Sequence, residues 1–582
     1  MSDTLPKMGL LAGVRTWSLR RPVPIVAALL VCLVCAAYAG SLKNGPVWDD
    51  TSLVTDNPFL RSVDGLLTLW KTDLWTASEK REPSSFYRPL TMVTFWVNAQ
   101  ITGQSAAAMR LGNILLHAAN AVLMLLLLRK LLEPPKLLVA SLLAMLWAVL
   151  AINSEPIFWI SGRFDPLVAM AALLCVLANR LEGWRRTIVV TACVVAGLLF
   201  KEAFMGWLPM LLLDDWLLLR RRTRDIWPKH ACIGLAVALN LLLRKTVGII
   251  SLSVLSETGV RTLAEAYLFT FATLIPRAFV PFGLDPFHPY APLPIVQSVA
   301  LGVAVVTVSG VLAWRAWRRG ATEPARVACF GWCWLLLALI PASLTGPHLF
   351  MIGDRYAYLP VIGLFVFFHG MLTPAFGWLE SRWGKSAHAV VAAVFVLAGI
   401  GQAWALVRRT GDWTNDHTLA EASVRAHPNN PYALYVLGYE SLESEDLVRA
   451  DALLARAEQG NPKCWRTPNA ICVLRLRQRR LAEAMPACQR SIALHPGNPR
   501  AWANLAAVHV HLKQWEQALE AARQSVQLKP HYAEGCYLAA VSAANLARMA
   551  EAEVHLHRGL QEDPAHRGLL ELQRAMNARR RR

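Results

Sequence analysis

The sequence predicts an all-α protein with two parts, a polytopic bundle of membrane helices followed by a C-terminal α-solenoid. Its 582 residues are 55% hydrophobic, and the mean hydropathy is positive. A chain of this length and composition is too apolar for one soluble domain. After residue 407 the long apolar runs end and proline recurs at a fixed interval. We therefore expect a transmembrane domain over 23–407 and helical repeats behind it.

Eleven apolar runs approach the length of about 20 residues that a helix needs to cross a membrane. The predicted spans are 23–42, 111–131, 137–158, 165–181, 187–201, 203–219, 228–249, 295–314, 327–345, 357–373 and 388–407. Two more segments, 89–102 and 263–283, are apolar enough to lie in the interface or to re-enter. The basic start of the chain resembles a signal peptide, but the first run is a full-length span without a convincing cleavage site. We expect it to remain as the first helix.

The basic residues occur in short clusters between the apolar runs, as at 220–224, and this explains the formal net charge of +19. With residues 1–22 in the cytoplasm, every second loop carries such a cluster, as the positive-inside rule requires. The pattern predicts a cytoplasmic N-terminus, an outer first loop over 43–110 and an extracytoplasmic C-terminal domain. It argues against nucleic-acid binding and makes membrane lipids the main surroundings of the first part.

A period of 34 residues runs through the C-terminal part. Proline recurs at Pro428, Pro462, Pro496, Pro530 and Pro564. Small residues follow the same period at Ala450, Ala484, Ala518 and Ala552, and at Gly438, Cys472, Ala506 and Ala540. This period is that of the tetratricopeptide repeat, a helix–turn–helix unit. We predict a linker helix over 408–430, four repeats over 431–564 and a basic tail over 565–582.

Stacked repeats of this kind form a superhelix with a concave face that ordinarily binds protein. We expect a protein or peptide partner there, and a mere spacer of helical hairpins is the alternative. The eleven cysteines show no metal-binding spacing, so we predict no metal-thiolate site. We also predict no cofactor, and the sequence leaves open whether a divalent metal assists. Cys472 and Cys488 could face each other within the second repeat. Two small buried thiols are the simpler interpretation, and a disulfide would require an oxidising compartment.

The long first loop is the first place to look for function, because long loops between packed elements often carry it. Asp49 and Asp50 lie where the first helix leaves the membrane, a costly position for a carboxylate that is neither paired nor used. Other polar candidates in this loop, at outer ends of spans or within a span are Tyr87, Arg88, His117, Glu155, Arg163, Asp165, Lys201, Glu202, Asp354 and Arg355.

These residue types suit one kind of reaction. A carboxylate can take a proton from a hydroxyl while Arg and Lys stabilise the charge on a departing phosphate. The combination predicts group transfer from a lipid-linked phosphate donor at the outer face. For any one charged pair taken alone, a structural ion pair or a headgroup contact is the alternative.

The order of motifs along the chain resembles a known family. The motifs are "WDDTSLVTDNPFL", "FYRPLTMVTFWVN", "LGNILLHAANAVLMLLLLRKLL", "EPIFWISGRFDPLVAMAALL", "LLFKEAFMGWLPMLLLD", "DRYAYLP" and "RRTGDWTND". In this order they resemble the tetratricopeptide-repeat membrane glycosyltransferases, which include the animal transmembrane and tetratricopeptide-repeat O-mannosyltransferases and bacterial relatives of the multispanning GT-C fold.

The resemblance implies a membrane enzyme that transfers a sugar, with inversion, from a polyprenyl-phosphate or dolichyl-phosphate carrier to a hydroxyl acceptor outside the cytoplasm. It implies that Asp49 is the base and that Asp50 supports it or holds the acceptor. Arg88, Arg163, Lys201 and Arg355 become candidate ligands of the phosphate and sugar. A bacterial source would place the protein in the inner membrane with its repeats in the periplasm.

The chain departs from the family pattern near the fourth motif. "LAINSE" has Asn153 where relatives often have histidine, "GRFD" replaces the commoner "GRAD", and Phe200 replaces a usual serine. These differences put mannose as the sugar in doubt, although the acceptor is expected to be protein. The main alternative function is a non-catalytic membrane scaffold whose repeats recruit partners for envelope assembly. A transporter is disfavoured, because the spans show no internal repeats or matching broken helices.

Overall fold

The computed structural model describes residues 22–78, 84, 86–133, 137–249, 260–291, 293–349, 351–530 and 532–580. The chain divides into two units, Met1–Ala422 and Ser423–Arg582. Nearly all of the predicted cytoplasmic N-terminus and the last two residues of the predicted tail lie outside the described residues.

The first unit is helical. Its α helices are α1 (Pro22–Tyr38), α2 (Val63–Lys71), α3 (Pro89–Thr102), α4 (Ala106–Leu131), α5 (Leu137–Ala148), α6 (Ser154–Phe158), α7 (Phe164–Ala178), α8 (Gly183–Phe200), α9 (Met210–Leu213), α10 (Thr223–Thr246), α11 (Val260–Arg277), α12 (Ile295–Trp317), α13 (Glu323–Leu349), α14 (Tyr358–Trp383), α15 (Lys385–Asp412) and α16 (Asp416–Ala426). Short turns of 3-10 or π geometry cover Ala39–Lys43, Thr51–Thr55, Pro58–Leu60, Ala151–Asn153, Ile160–Arg163, Glu202–Trp207, Asp214–Leu218 and Asp354–Ala357. Two short strands, β1 (His288–Pro289) and β2 (Met351–Ile352), pair antiparallel. The predicted all-α class is confirmed.

Nine helices among the described residues are long and apolar enough to cross a membrane, and each coincides with a predicted span. They identify the first unit as an integral membrane domain. The predicted span 137–158 consists of two pieces, Leu137–Ala148 and Ala151–Phe158, with a bend of 50° between them. The segments 89–102 and 263–283 correspond to α3 and α11, which are not among the nine.

The predicted span 203–219 is not one regular helix. It contains the turn Glu202–Trp207, then α9, then the π turn Asp214–Leu218. Pro209 lies between the first two pieces and has no N–H to continue a helical ladder. Hydropathy alone therefore predicted a regular span where the chain makes a broken one.

The two ends of this broken segment lie at opposite ends of α7. Lys201 Nζ lies 2.6 Å from the carboxylate of Asp165 in the first turn of α7. Asn179, the residue after α7, donates from Nδ2 to Asp215 Oδ1 at 3.0 Å. Because α7 has 15 residues, these ends are about 20 Å apart. Residues 201–215 thus run the length of α7, and this broken segment is the counterpart of the predicted span.

A buried polar cluster holds the far end of the broken segment. Asp215 pairs with Lys229, and the side chains of both are fully buried. Arg221 donates to Asp215 at 3.0 Å, and Arg180 donates twice to Asp214 at 2.9 Å. Buried charges are tolerated when they are paired and hydrogen-bonded in this way. The basic loops predicted on the cytoplasmic side therefore supply cations that fix this end of the bundle.

The second unit confirms the predicted repeats. Its helices are α17 (Pro431–Glu443), α18 (Leu447–Gly460), α19 (Arg466–Arg477), α20 (Leu481–Leu494), α21 (Pro499–His511), α22 (Trp515–Leu528), α23 (Ala533–Asn545), α24 (Met549–Glu562) and α25 (Arg567–Arg580). The turn inside each of the four pairs has one residue with a φ between 59° and 62°, at Glu445, Arg479, Lys513 and Ala547. All eight small residues of the 34-residue period are buried. The period therefore sets both the turns and the helix contacts.

The ends of the repeat array differ from the predicted boundaries. The last span continues as α15 to Asp412, and α16 covers about half of the predicted linker. The predicted basic tail forms α25 over Arg567–Arg580. Leu569 and Met576 of α25 are buried in the hydrophobic cluster of the repeats. The basic residues at the end of the chain led to the prediction of a tail, but the segment is an amphipathic helix that packs against the last repeat.

Cys472 of α19 and Cys488 of α20 form a disulfide, with a Cα–Cα distance of 5.2 Å. Both residues are fully buried. The simpler interpretation of two separate thiols is therefore not the arrangement that the structure has. The close approach follows from the small-residue positions, since Cys472 occupies the phase of Gly438 and Ala506.

Candidate functional site

The two predicted carboxylates of the first outer loop have different environments. Asp50 is fully buried, whereas Asp49 is half-buried. Asp50 accepts the N–H groups of Val47 and Ile160 on Oδ2, both at 3.2 Å, and that of Ser161 on Oδ1 at 2.8 Å. Burial raises the pKa of Asp50 to about 6, although the bonds from Ser161 and Val47 lower it. Asp50 therefore holds the loop in place, and its oxygens are engaged by backbone N–H groups, so the geometry favours a supporting role over a direct catalytic one.

Arg110 of α4 fixes the chain between α1 and the two carboxylates. Its guanidinium donates to the carbonyl oxygens of Ser41 at 3.0 Å, Asn44 at 2.8 Å, Gly45 at 2.9 Å and Phe158 at 2.7 Å. Arg110 is fully buried, and a buried cation with this many acceptors is a structural element. The loop thus leaves α1 along a fixed path towards Asp49.

Trp48 precedes Asp49 and joins it to the rest of the site. Its ring stacks on Trp159, with centroids 4.9 Å apart, and meets the edge of Phe287 at 4.8 Å. The guanidinium carbon of Arg355 lies 5.3 Å from the ring centres of both tryptophans. Such contacts are favourable cation–π geometry. Asp49 is therefore one residue away from an aromatic pair that faces a cation.

Arg355 belongs to a buried network at the start of α14. Its backbone N–H donates to Glu155 Oε2 at 2.9 Å, and its guanidinium pairs with Oε1 of the same side chain. The neighbouring Asp354 lies 2.8 Å from His288 Nε2 and pairs with Arg409 at 3.3 Å. Burial lowers the pKa of His288 to about 3 and raises that of Asp354 to about 7, so the His288 ring is neutral beside this carboxyl group. The "DRYAYLP" motif is thus fixed by residues from three other segments.

Lys201 lies directly after α8 and pairs with Asp165 of α7 at 2.6 Å. Only 8% of the Lys201 side chain and 13% of the Asp165 side chain are exposed. Lys201 Nζ lies 5.2 Å from the ring centre of Tyr356, and the guanidinium carbon of Arg355 lies 4.7 Å from the same ring. Tyr356 therefore lies beside both cations.

Arg88 is held by Glu202, the residue after Lys201. Arg88 donates from Nε at 3.1 Å and from Nη2 at 2.5 Å to the two carboxylate oxygens, and its guanidinium carbon lies 4.5 Å from the ring centre of Phe164. Arg244 Nη2 lies 4.0 Å from Glu202. Burial alone would raise the pKa of Glu202, but Arg88 and Arg244 lower it to about 2. Glu202 is therefore ionised, yet its side chain remains 37% exposed.

These groups form one cationic cluster, which we define as Arg88, Lys201, Arg244 and Arg355. Asp165 and Tyr356 act electrostatically on both Arg88 and Arg355, so the cluster is continuous. Its carboxylate partners are Glu155, Asp165 and Glu202. Four cations against three carboxylates leave one formal positive charge. Such a cluster can bind an anionic group such as a phosphate.

Arg163 was predicted as a phosphate ligand, but its guanidinium donates hydrogen bonds to groups of the protein itself. It donates to Asn113 Oδ1 at 2.7 Å, Asn98 Oδ1 at 2.8 Å, the Met109 carbonyl at 2.7 Å and the Thr94 carbonyl at 3.2 Å. It is 4% exposed. With four of its five N–H groups engaged, Arg163 fastens α3 and α4 to the turn before α7, and this geometry favours a structural role.

Tyr87 and His117 are also structural. Tyr87 is fully buried and donates from its hydroxyl to the Trp70 carbonyl at 2.8 Å. His117 lies in the core of the bundle, 2.7 Å from the Tyr358 hydroxyl and 3.0 Å from the Ala148 carbonyl. Neither side chain belongs to the cationic cluster, so their predicted binding roles are not supported.

Several residues of the site were missed by sequence reasoning. Arg244 ends an apolar helix and reads as an ordinary flanking charge, and Tyr356 and His288 carry no charge that would attract attention. Arg110 and Arg409 also lie at span ends, where positive residues are expected. The usable signal was the motif context of two of them, since Tyr356 lies in "DRYAYLP" and Arg409 in "RRTGDWTND".

Comparison with known proteins gives the following similarities. A family model described as tetratricopeptide repeat matches residues 475–524. The chain is 33% identical over 178 residues to "Protein O-mannosyl-transferase TMTC3" of Mus musculus, covering 30% of this chain and 19% of that protein. It is 27% identical over 215 residues to "Protein O-mannosyl-transferase F38B6.6" of Caenorhabditis elegans, covering 36% and 30%. It is 31% identical over 172 residues to "Protein O-mannosyl-transferase TMTC1" of Homo sapiens, covering 28% and 19%.

The aligned part of the chain thus spans less than a third of each of these relatives. Together with the repeats, these similarities confirm the predicted resemblance to tetratricopeptide-repeat membrane O-mannosyltransferases. Among solved structures, the "Crystal structure of MamA protein" is 18% identical and covers 27% of this chain and 85% of that one, with a TM-score of 0.23. The structure titled "Crystal structure of YrrB: a TPR protein with an unusual peptide-binding site" is 15% identical and covers 34% and 98%, with a TM-score of 0.24. These scores are too low to support a conclusion.

Proposed function

We propose that this protein is a membrane glycosyltransferase that moves a sugar from a lipid-phosphate carrier to a hydroxyl group of a protein. The observation that carries the proposal is the place of Asp49, directly after Trp48, whose ring faces Arg355 of the cationic cluster. A half-buried carboxylate next to a tryptophan whose ring faces a cation suits proton removal coupled to departure of a phosphate. Similarity to proteins named protein O-mannosyl-transferases supports a protein acceptor.

In the proposed reaction, Asp49 takes the proton from the acceptor hydroxyl while the hydroxyl oxygen attacks the anomeric carbon of the sugar. The new carbon–oxygen bond forms as the bond from that carbon to the phosphate oxygen breaks, with inversion at the carbon. The electron pair of the broken bond stays on the lipid phosphate, and Arg88, Lys201 and Arg355 stabilise its charge. Each of these cations is then shared between its present carboxylate partner and the phosphate.

Asp50 contributes to this reaction only through position. It accepts N–H groups from Val47 of its own loop and from Ile160 and Ser161, and so ties the loop to the turn Ile160–Arg163. Because Asp49 is the next residue, a shift of Asp50 would move the proposed base. We assign the proton transfer to Asp49 and the support of the loop to Asp50.

We place the reaction on the extracytoplasmic face, with a polyprenyl phosphate as carrier and the repeats in the periplasm of a bacterium. Two observations support this. Basic clusters occupy every second loop, as expected for the cytoplasmic side. The disulfide between Cys472 and Cys488 in the second unit suits an oxidising compartment.

The names of the relatives contain mannose as the sugar. Asn153 is the residue that gives a reason to test other sugars. It stands where many relatives have histidine, is fully buried and donates to the Trp147 carbonyl at 2.9 Å. Its Oδ1 has no hydrogen-bond partner among the described residues. Because an amide replaces the histidine at this position, we propose that Asn153 influences the choice of sugar.

We further propose that the repeats bind the acceptor or another protein in extended form. Tyr432, Tyr435 and Tyr439 follow one face of α17, with successive ring centres 6.4 and 6.1 Å apart. Asn504 donates to Asn469 at 3.0 Å across consecutive repeats. Tyrosine and asparagine side chains on the first helices of the repeats offer both apolar area and hydrogen bonds to a peptide.

A non-catalytic scaffold is the second candidate, and one observation favours it. Arg88, Lys201 and Arg355 each already have a carboxylate partner, as structural ion pairs do. The two functions are separated by comparing glycoproteins and envelope glycans of the source organism with and without the gene. Loss of one sugar modification that returns with the wild-type gene supports the enzyme and identifies the sugar and acceptor. Unchanged glycosylation with altered partner recruitment supports the scaffold.

A further inference from the structure

The chain after the last span lies beside the start of the first outer loop. The segments 44–48 and 410–416 are joined by three hydrogen bonds: Asn44 Nδ2 to the Thr410 carbonyl at 2.8 Å, Gly45 N–H to the Thr414 carbonyl at 3.0 Å, and Trp48 N–H to Asp416 Oδ1 at 2.7 Å. More than 360 positions separate the partners. This contact lies within the first unit and includes none of the residues of the cationic cluster.

Trp48 has an unusual backbone conformation at this contact. Its φ is +57°, in the left-handed region that a bulky L residue rarely adopts. Such a conformation persists only where the surroundings determine it. Here the ring is held by Trp159 and Phe287, and the N–H is held by the carboxylate of Asp416.

Asp49 therefore lies between two fixed points. On one side the Trp48 N–H is bound to Asp416, and on the other side Asp50 is bound to Ile160 and Ser161. A return of Trp48 to a negative φ would rotate the peptide that leads to Asp49. Since Asp50 cannot follow without losing its own bonds, the change would displace the Asp49 carboxylate.

We propose that Asp416 is a positioning residue for Asp49, because its carboxylate keeps Trp48 in the left-handed conformation. This inference rests on the proposed function for its effect on catalysis, but the effect on the loop itself is independent of it. Asp416 also lies in the first turn of α16, where a negative charge favours a helix in any protein. The test must therefore separate the hydrogen bond from the charge.

Two substitutions at this position make that separation. Asp416→Asn loses the charge but keeps an oxygen that can accept the Trp48 N–H, and Asp416→Ala loses both. Purified full-length protein is assayed with a lipid-phosphate-linked sugar and acceptor, and kcat and KM are measured. We expect Asp416→Ala to lower kcat at least 10-fold with little change in KM of the donor, and Asp416→Asn to stay within about 3-fold of wild type. Equal losses in both variants, or no loss in Asp416→Ala, would overturn the proposal.

Trp48→Gly provides a second background, because glycine adopts a positive φ without strain. Since this change also removes the ring that faces Arg355, the effect of Asp416→Ala is measured relative to Trp48→Gly itself. If Asp416 acts by holding Trp48, its removal should matter less in this background. We expect Asp416→Ala to lower kcat by less than 2-fold when combined with Trp48→Gly. The same 10-fold loss in both backgrounds would mean that Asp416 acts by another route.

Hydrogen–deuterium exchange gives a readout that does not depend on catalysis. In Asp416→Ala, the backbone amides of residues 47–53 should exchange faster than in wild type and Asp416→Asn. Unchanged exchange contradicts the positioning role. Faster exchange in a protein whose wild-type form transfers no sugar would retain the positioning of the loop and reject the proposed enzyme function.

Discussion

Asp50 and Ser161 are 111 positions apart in the sequence, and the Ser161 N–H donates to Asp50 Oδ1 at 2.8 Å. This bond joins the loop after α1 to the turn before α7. The two adjacent carboxylates therefore have different environments: Asp50 is buried and bound by N–H groups, and Asp49 is partly exposed. The two members of this acidic pair therefore differ, since one is tied into the fold and the other is only half-buried.

The raised pKa of Asp50 predicts a pH dependence of stability. The ordinary pKa is 3.8, and burial raises it to about 6 in the folded protein. Between these values the folded state binds more protons than the unfolded state, so the free energy of unfolding falls as pH rises and then levels off. We expect the Tm difference between wild type and Asp50→Asn, measured in detergent, to shift against wild type between about pH 4 and pH 6. A difference that is constant across this range would contradict the raised pKa.

Arg88 should act on the donor. Replacement by alanine removes a cation from the cluster, and we expect kcat/KM for the lipid-linked sugar to fall about 100-fold, a usual result of losing one group that stabilises developing charge. Steady-state kinetics with varied donor concentration measure the effect. Glu202→Gln is the matched control, because it keeps the guanidinium and weakens only its ion pair. We expect a smaller loss in that variant, and a larger one would assign the key role to the carboxylate.

Arg163 should act on stability. Its replacement by alanine leaves buried oxygens of Asn113 and Met109 without this donor, at a cost of about 1–3 kcal/mol for each group that stays unpaired. We expect a lower Tm and a lower yield of folded protein, with nearly unchanged KM in the molecules that fold. A stable protein with a strongly raised KM for the donor would show instead that Arg163 binds substrate.

The Cys472–Cys488 disulfide can be tested in the natural host. Closing a loop of about 15 residues is worth about 3 kcal/mol in the chain-entropy model, so replacing both cysteines by alanine should lower the Tm of the second unit in the full-length protein. Cys536→Ala is the control, because Cys536 is a buried free thiol of the same array. Mass spectrometry of protein alkylated before reduction should find the two peptides linked. Free thiols at both positions would contradict the disulfide and remove one support for the proposed location.

The parts of the fold that depend on local patterns could be predicted from the sequence. Hydropathy found the nine regular spans, and the period of 34 found the repeats, because each repeat makes the same turn at Glu445 and its three equivalents. The segment 203–219 was predicted as a regular span because hydropathy measures only its apolar content. Its actual course depends on contacts of Lys201 with Asp165 and of Asp215 with Asn179, which hydropathy does not include.

The roles of individual arginines could not be predicted, although their positions could. Arg88 and Arg163 both follow aromatic-rich motifs near span ends, yet one binds a partly exposed carboxylate and the other binds buried oxygens. The difference depends on backbone carbonyls and amides that only the folded chain brings together. For the same reason, the sequence did not indicate that Arg244 belongs to the cationic cluster.

Loss of transfer in Asp49→Asn is the most direct test of the proposed function. Purified wild type, Asp49→Asn and the control Asp64→Asn, which changes an exposed carboxylate of α2, are compared for sugar transfer from a lipid-phosphate donor to protein acceptor at equal amounts of folded protein. We predict that wild type and Asp64→Asn transfer sugar at similar rates and that Asp49→Asn loses at least 1,000-fold while its Tm is retained. Transfer by Asp49→Asn at a rate near that of wild type would contradict the assignment of Asp49 as the base.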